Sequence, residues 1–223
     1  MTTAPRFVPA LGRAWLTPYY DFVVRTTTRE RRFKRALIEQ TGLEPGQRVL
    51  DLATGTGTLA IWMKEHQPSL DIAAVDGDHA ILSIASGKAA KVNADVRWIK
   101  ALSTELPFPD AHFDRVVSSL FFHHLTPANK ARTAGEAFRV LKPGGEFHVA
   151  DWGLPAGPLM RGLFLTIQLL DGFENTRDNL AGKLIPLLEQ AGFVDVGQRQ
   201  AFNTIYGTMA LYAAVRPGLR AAG

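Results

Sequence analysis

The chain has 223 residues, of which 46% are hydrophobic and 21% charged, enough for one buried core and too apolar for wholesale disorder. The absence of cysteine excludes disulfides, thiolate zinc sites and a cysteine nucleophile, and is compatible with a cytoplasmic protein. The net charge of +4 is uneven: residues 1–35 carry eight basic and two acidic side chains, residues 196–223 carry three basic and no acidic ones, and the middle is net negative.

The start, Met-Thr-Thr-Ala-Pro-Arg-Phe, has no apolar core behind its charge, so no signal peptide is expected. No stretch reaches ~18 consecutive apolar residues, so no spanning helix is expected. A helical region is predicted over Tyr19–Thr41. It contains the densest basic patch, Arg25–Arg35, which reads as a solvated helix face or as a meeting point for anionic lipid, nucleic acid or an acidic substrate. Only Phe33 interleaves that patch with an aromatic ring, which disfavours nucleic acid.

Short apolar runs then alternate with helical stretches, the pattern of an α/β sheet. Strands are predicted at Arg48–Leu52, Asp71–Val75, Val96–Ile99, Phe113–Ser118 and Glu146–Ala150. Helices are predicted at Thr58–His66, His79–Lys91 and Pro127–Leu141, the last stopped by Lys142-Pro143-Gly144-Gly145. Beyond Gly153 the rhythm changes: Gly153–Asn179 surrounds one apolar helix, and Leu180–Ala191 reads as a helix stopped by Gly192. Val194–Ala201 and Met209–Val215 read as two final strands forming an antiparallel edge.

The segment from Asp51 through Gly55-Thr56-Gly57 into a helix has the form of a cofactor loop, because glycines let the backbone approach a ligand and the helix offers free N–H groups. By itself such a turn can be only a tight strand-to-helix connection. About 20 residues later the second strand ends in Val75-Asp76, where a carboxylate can accept both hydroxyls of a ribose. The third glycine of a dinucleotide fingerprint is missing, since position 60 is alanine.

Val49–Ala60, Val75-Asp76, Leu106-Pro107-Phe108-Pro109-Asp110 with His112-Phe113-Asp114, and Arg139-Val140-Leu141-Lys142-Pro143-Gly144-Gly145 follow one another in order. Together they resemble the motifs of class I S-adenosylmethionine-dependent methyltransferases. The nearest likeness is to the ubiquinone/menaquinone-biosynthesis methyltransferases, where a Tyr-Asp pair, here Tyr20-Asp21, precedes the segment matching Gly46–Gly57. The resemblance implies a Rossmann-like, seven-stranded, mostly parallel sheet with one antiparallel strand and helices on both faces. N-terminal helices (1–42) and a helical lid insertion after strand 5 (153–180) would flank a cofactor-binding core (43–152), with a C-terminal helix and strands over 181–223, all in one domain.

It also implies S-adenosylmethionine as cofactor, with S-adenosylhomocysteine as product, and this cofactor has no pyrophosphate to require a third glycine. Ala53, Thr54, Gly55 and Gly57 would pass beneath the methionine part, Asp51 would meet its amino group, and Asp76 would hold the ribose. Gly77 would contact the cofactor, and Ile81 and Leu82 would form one wall of the adenine pocket. Ser118 and Ser119 would lie near the sulfonium, and Tyr20 would cover the methionine end. The sequence departs from the pattern at Leu102, a cofactor-side position where an aspartate often bonds the adenine amino group, so that contact would fall to the Ser103 backbone or hydroxyl. It departs again at Ala53-Thr54, where many members have Gly-Cys.

On the acceptor side, His123 and His124 follow the fourth strand and Asp151 ends the fifth. Both strands end at the carboxyl edge, where open α/β sheets bind ligands. Either histidine could act as a base or simply pack under the cofactor loop, and Asp151 could orient or deprotonate a substrate or cap a loop. His148 reads as mid-strand, and His66, His79 and His112 as surface or turn residues. No spacing suggests a metal site.

The apolar run of Leu159, Met160, Leu163, Phe164, Leu165, Ile167, Leu169, Leu170 and Phe173, with Trp15, Tyr19, Tyr20 and Phe22, suits a small greasy or aromatic acceptor; core packing or a homodimer contact is the plainer reading. C- or O-methylation of such an acceptor leads. N-methylation of an amine or phospholipid head group, with peripheral contact to anionic membrane, is the second reading, and a non-catalytic cofactor-binding partner the third. No nucleic-acid substrate is expected.

Overall fold

The computed structural model describes residues 30–218. Trp15, Tyr19, Tyr20, Phe22 and the basic residues before Glu30 lie outside the described residues. The first described helix, α1, is Glu30–Gln40. It buries Phe33, Leu37 and Ile38 and leaves Arg31, Arg32 and Arg35 exposed.

Seven strands make one sheet: β1 (Arg48–Leu52), β2 (Asp71–Asp76), β3 (Arg97–Lys100), β4 (Phe113–Ser119), β5 (Leu141–Trp152), β6 (Val194–Thr204) and β7 (Gly207–Val215), ordered β3-β2-β1-β4-β5-β7-β6. β1 to β5 pair in parallel, and β7 runs antiparallel to both β5 and β6. Alternate residues of each central strand face opposite layers, so Leu50, Leu52 and Val116 enter one core and Val49, Ile72 and Val117 the other. Strands buried on both faces need continuous apolar sequence, which is why they were easily read.

Helices α2 (Thr58–His66) and α3 (His79–Lys91) follow β1 and β2, and α4 (Pro127–Val140) precedes β5. Asp78 caps α3 by accepting from Ala80 N at 2.8 Å, and Thr126 caps α4, which starts with proline at Pro127. Arg139, near the end of α4, ties the Leu106–Asp110 loop down. It donates to the carbonyls of Leu106 (3.1 Å) and Phe108 (2.8 Å) and to Asp110 (2.8 Å), while Glu136 holds its other side at 2.7 Å. Two of the segments that stood out in the sequence are therefore one mechanical unit. His148 lies mid-strand and buried, with Nδ1 3.1 Å from Gln40 Nε2 and Nε2 3.0 Å from Glu146.

Some boundaries move. β3 is Arg97–Lys100 rather than Val96–Ile99. β5 begins at Leu141 rather than Glu146, because the Pro-Gly-Gly stretch is a bulge inside the strand. Gly144 N donates to Arg216 O and Arg216 N to Gly145 O, so the chain stays paired there. The segment after β5 holds three short helices, α5 (Pro158–Leu163), α6 (Leu165–Asp171) and α7 (Phe173–Leu180), rather than one. The last helix, α8, is Leu184–Gln190 rather than Leu180–Ala191, because the chain breaks at Gly182, whose φ of 68° no helix tolerates.

Candidate active site

The strand order reverses between β1 and β4, and the crevice at their carboxyl ends is where such sheets take ligands. β1 delivers Asp51 there, buried, with its Oδ2 accepting from Thr54 Oγ1 at 2.6 Å. Thr54 N donates to Val75 O at 2.9 Å, locking the turn to the end of β2. Ala53 adopts φ 57°, at a cost of about 1 kcal/mol for a residue with a Cβ. Gly57 is packed: a Cβ there would lie 2.5 Å from the Trp98 ring. Gly55 is not, since a Cβ there meets nothing within 4 Å among the described residues. Lys88, from α3, reaches back to the hydroxyls of Thr56 (3.0 Å) and Thr58 (2.9 Å), a contact that no local sequence signal announces.

Asp76 spans the two turns, accepting from Gly55 N at 2.9 Å and Asp78 N at 3.0 Å. Burial raises its pKa, and those N–H groups oppose the rise. Burial pushes the Asp51 carboxyl up to about 6, against the Thr54 hydrogen bond and the Lys34 charge. The crevice therefore holds two carboxylates, one of them short of positive charge, a setting that favours a cationic ligand group beside Asp51.

The Asp51 shift has a measurable consequence. A carboxyl whose folded pKa exceeds its unfolded value stabilises the fold fully below the unfolded value, and this is lost as pH rises through the folded one. Ligand-free protein should lose stability on the order of 3 kcal/mol between pH 3.8 and about 6 through this group. Asp51→Asn should flatten that part of the melting-temperature profile; an identical slope in the variant would refute the assignment.

The serines divide. Ser118 Oγ donates to Leu52 O at 3.1 Å inside the sheet, whereas Ser119 Oγ is buried without a hydrogen-bond partner among the described residues. Ile81 and Gly77 are half-buried at the head of α3, and Leu102 is exposed on the loop after β3. The Ser103 hydroxyl lies 2.9 Å from that of Thr133 on α4.

After β4, Leu120 turns the chain at φ 57° into a short 3-10 turn, Phe122–His124. Here the structure joins two residues the sequence offered separately. Asp151, fully buried, accepts from His123 Nδ1 (2.7 Å), His123 N (3.2 Å) and Trp152 N (2.7 Å). Burial alone would raise the Asp151 pKa, but the imidazole and these donors hold it below the usual carboxylate range. Asp151 thus faces the histidine. The His124 ring lies 3.9 Å from that of His123, and burial, helped by His123, pushes its pKa down to about 3, so it is neutral at physiological pH.

The insertion is tied to this pair. Asn179 Nδ2 donates to Trp152 O at 3.1 Å, and Lys130, only 3% exposed on α4, donates to Asn175 O (2.6 Å) and Asn179 Oδ1 (3.1 Å). Lys130 escaped sequence reasoning because a lysine on an amphipathic helix reads as solvated. Phe164 and Ile167 bury the inner side of the insertion.

Comparison with known proteins agrees with this geometry. A family model described as a methyltransferase domain matches residues 49–145. A demethylmenaquinone methyltransferase of Thermus thermophilus is 35% identical over 142 residues, 63% of this chain and 64% of that protein, so the match spans under two thirds of that relative. An uncharacterized methyltransferase of Synechocystis sp. is 31% identical over 192 residues, 82% of this chain and 87% of that protein. The solved apo structure of the S-adenosylmethionine-dependent methyltransferase SibL shares the fold, with a TM-score of 0.73 at 21% identity over 94% of this chain and 60% of that one.

Proposed function

This chain belongs to the class I S-adenosylmethionine-dependent methyltransferases, and from that premise we propose that it methylates a ring carbon of a small, apolar, quinol-like acceptor. The observation that carries the reading is the buried Asp151–His123 pair at the carboxyl edge of the sheet, roofed by an apolar insertion. The name of the Thermus relative supports a quinol as acceptor.

The crevice fits the cofactor. Asp51, steadied by Thr54, matches the α-ammonium, and Asp76 keeps lone pairs for ribose hydroxyls. The open side of Gly55 admits the methionine chain, and Ser119, whose hydroxyl has no hydrogen-bond partner among the described residues, ends β4 at the same edge of the sheet. Gly77, Ile81, Leu102 and Ser103 form the adenine side. When bound, S-adenosylmethionine supplies an electrophilic methyl carbon on sulfur, so no covalent enzyme intermediate is needed.

The protein's own work is positioning and proton removal. Ionised Asp151 accepts from His123 Nδ1–H and orients the ring, and on this reading the imidazole takes the acceptor's hydroxyl proton at Nε2 in exchange for its present contacts. The phenolate so formed is more nucleophilic at its ring carbon. That ring carbon would take the methyl group from the bound donor, which leaves as the neutral thioether; the ring C–H proton would pass to solvent, and His123 would return the first proton to the oxygen, so that the product is a quinol and the base is neutral again. Neutral His124 beside His123, with the apolar insertion, would keep water from the reacting atoms when both substrates are bound.

The test supplies a reduced 1,4-naphthoquinone with one unsubstituted quinol-ring carbon and a short apolar chain. The product should gain one methyl group on that carbon by mass and NMR. Asp76→Ala should weaken cofactor binding by about tenfold or more in calorimetry, since it removes a charge-assisted hydrogen-bonding group. Methylation of oxygen, or of a test amine in preference, would overturn the carbon assignment.

A further inference from the structure

The insertion is apolar on both sides, and core packing explains only one. Phe164 and Ile167 are buried, while Leu165 and Leu169, one turn apart on α6, are 44% and 74% exposed. Leu159 on α5 is 71% exposed, Phe173 at the start of α7 54%, and Ile205 in the β6–β7 turn 57%. These side chains belong to one region. The Phe164 ring packs so closely on Gly207 that a Cβ there would lie 2.9 Å from it, which places the insertion against the β6–β7 turn. Phe202, at the end of β6, carries the Arg32 guanidinium over its ring at 5.3 Å. Exposed Arg31 and Arg35 follow on α1, and exposed Arg161 and Arg177 stand on the insertion itself.

We propose that this face docks on an anionic lipid surface. Apolar side chains flanked by arginines suit the boundary between head groups and acyl chains. The leucines enter the apolar layer, and the guanidiniums, on flexible stems, meet the head-group phosphates. The chain's net charge of +4, concentrated in its first 35 residues, complements such a surface. No helix among the described residues is long and apolar enough to cross a membrane, so the contact lies on the surface. The face borders the end of β5, where Trp152 follows Asp151. On the reading of that edge as the acceptor site, a greasy acceptor would enter directly from lipid.

The test uses the full chain with vesicles of phosphatidylcholine alone or with phosphatidylglycerol. The protein should sediment with the anionic vesicles only. Leu165→Ser with Leu169→Ser should weaken binding at least tenfold, and Arg31→Glu with Arg35→Glu should do the same, with melting temperature and cofactor affinity unchanged. Because the chain has no cysteine, Leu169→Cys accepts one polarity-sensitive fluorophore, whose emission should shift to the blue when anionic vesicles are added. Absence of binding, or leucine variants that bind as wild type, would overturn the proposal. So would a probe already shielded without vesicles, meaning that residues 1–29 cover the face, or a leucine variant with altered oligomeric state, meaning that a second copy does. Failure of methyl transfer to a short-chain soluble acceptor is read separately and touches only the assigned reaction.

Discussion

Asp151→Asn is expected to lower turnover by about two to three orders of magnitude while leaving cofactor affinity within about twofold. Asp151 accepts three hydrogen bonds, two of them at Oδ1. An asparagine in its place has one acceptor oxygen and one amide that can only donate. Whichever way the amide turns, it either faces a backbone N–H or forces His123 to present a lone pair at Nδ1. The second outcome moves the proton to Nε2, where a base needs to accept one. Asp151 is fully buried, so one mismatched pair should also cost about 1–3 kcal/mol of stability. Turnover at saturating donor and acceptor separates the two effects, because the stability loss appears in melting and the tautomer loss in rate. An Asp151→Asn protein that melts lower but turns over normally would leave Asp151–His123 as a structural pair and remove His123 as the base.

That pairing also marks where the sequence stopped being legible. β1, β2 and β4 were readable because burial on both faces demands consecutive apolar residues, here Val49-Leu50, Ile72–Val75 and Val116-Val117, and Asp51 and Asp76 stood out as the acids following the first two of these runs. The turn from Ala53 to Gly57 was readable only together with Asp76, since glycines alone fit any tight strand-to-helix connection. His123 and Asp151 were each visible as polar residues after a strand, but 28 positions separate them. Their bond depends on β4 and β5 being neighbours and on the φ of Leu120 swinging the next turn back over the sheet.

Other losses have the same origin. The Pro-Gly-Gly stretch looked like a terminator, as its local chemistry says, and became a bulge because Arg216, more than 70 residues away, supplies the backbone partners. Arg139 looked like part of a family motif, and only the fold shows that it holds the Leu106–Asp110 motif by its carbonyls. Ser118 and Ser119 were offered together, and β-strand alternation turns the Ser118 hydroxyl to Leu52 while that of Ser119 has no hydrogen-bond partner among the described residues. Local periodicity encodes burial, and it does not encode which buried polar atoms meet.

The glycine turn separates binding from folding, and two substitutions should show it. Gly57→Ala places a Cβ 2.5 Å from the Trp98 ring and 2.8 Å from Ala85 Cβ, in a backbone conformation of φ 76°. The left-handed conformation costs about 1 kcal/mol for alanine, and overpacking between two elements roughly 1–3 more. A chain of this size loses about 2–4 °C per kcal/mol, so melting should fall by roughly 5–15 °C. Trp98→Phe, by removing the ring atoms that clash, should restore part of that loss in the double variant. Gly55→Ala meets no atom of the described residues within 4 Å and should cost only the conformational term, about 1 kcal/mol. Its methyl group would nevertheless occupy the open side of the turn, where the methionine chain is proposed to lie. Gly57→Ala should therefore act mainly on melting and Gly55→Ala mainly on cofactor affinity. If Gly55→Ala binds S-adenosylmethionine as tightly as wild type, the cofactor does not pass over Gly55, and Asp51 loses its role with it, because the same turn sets both positions.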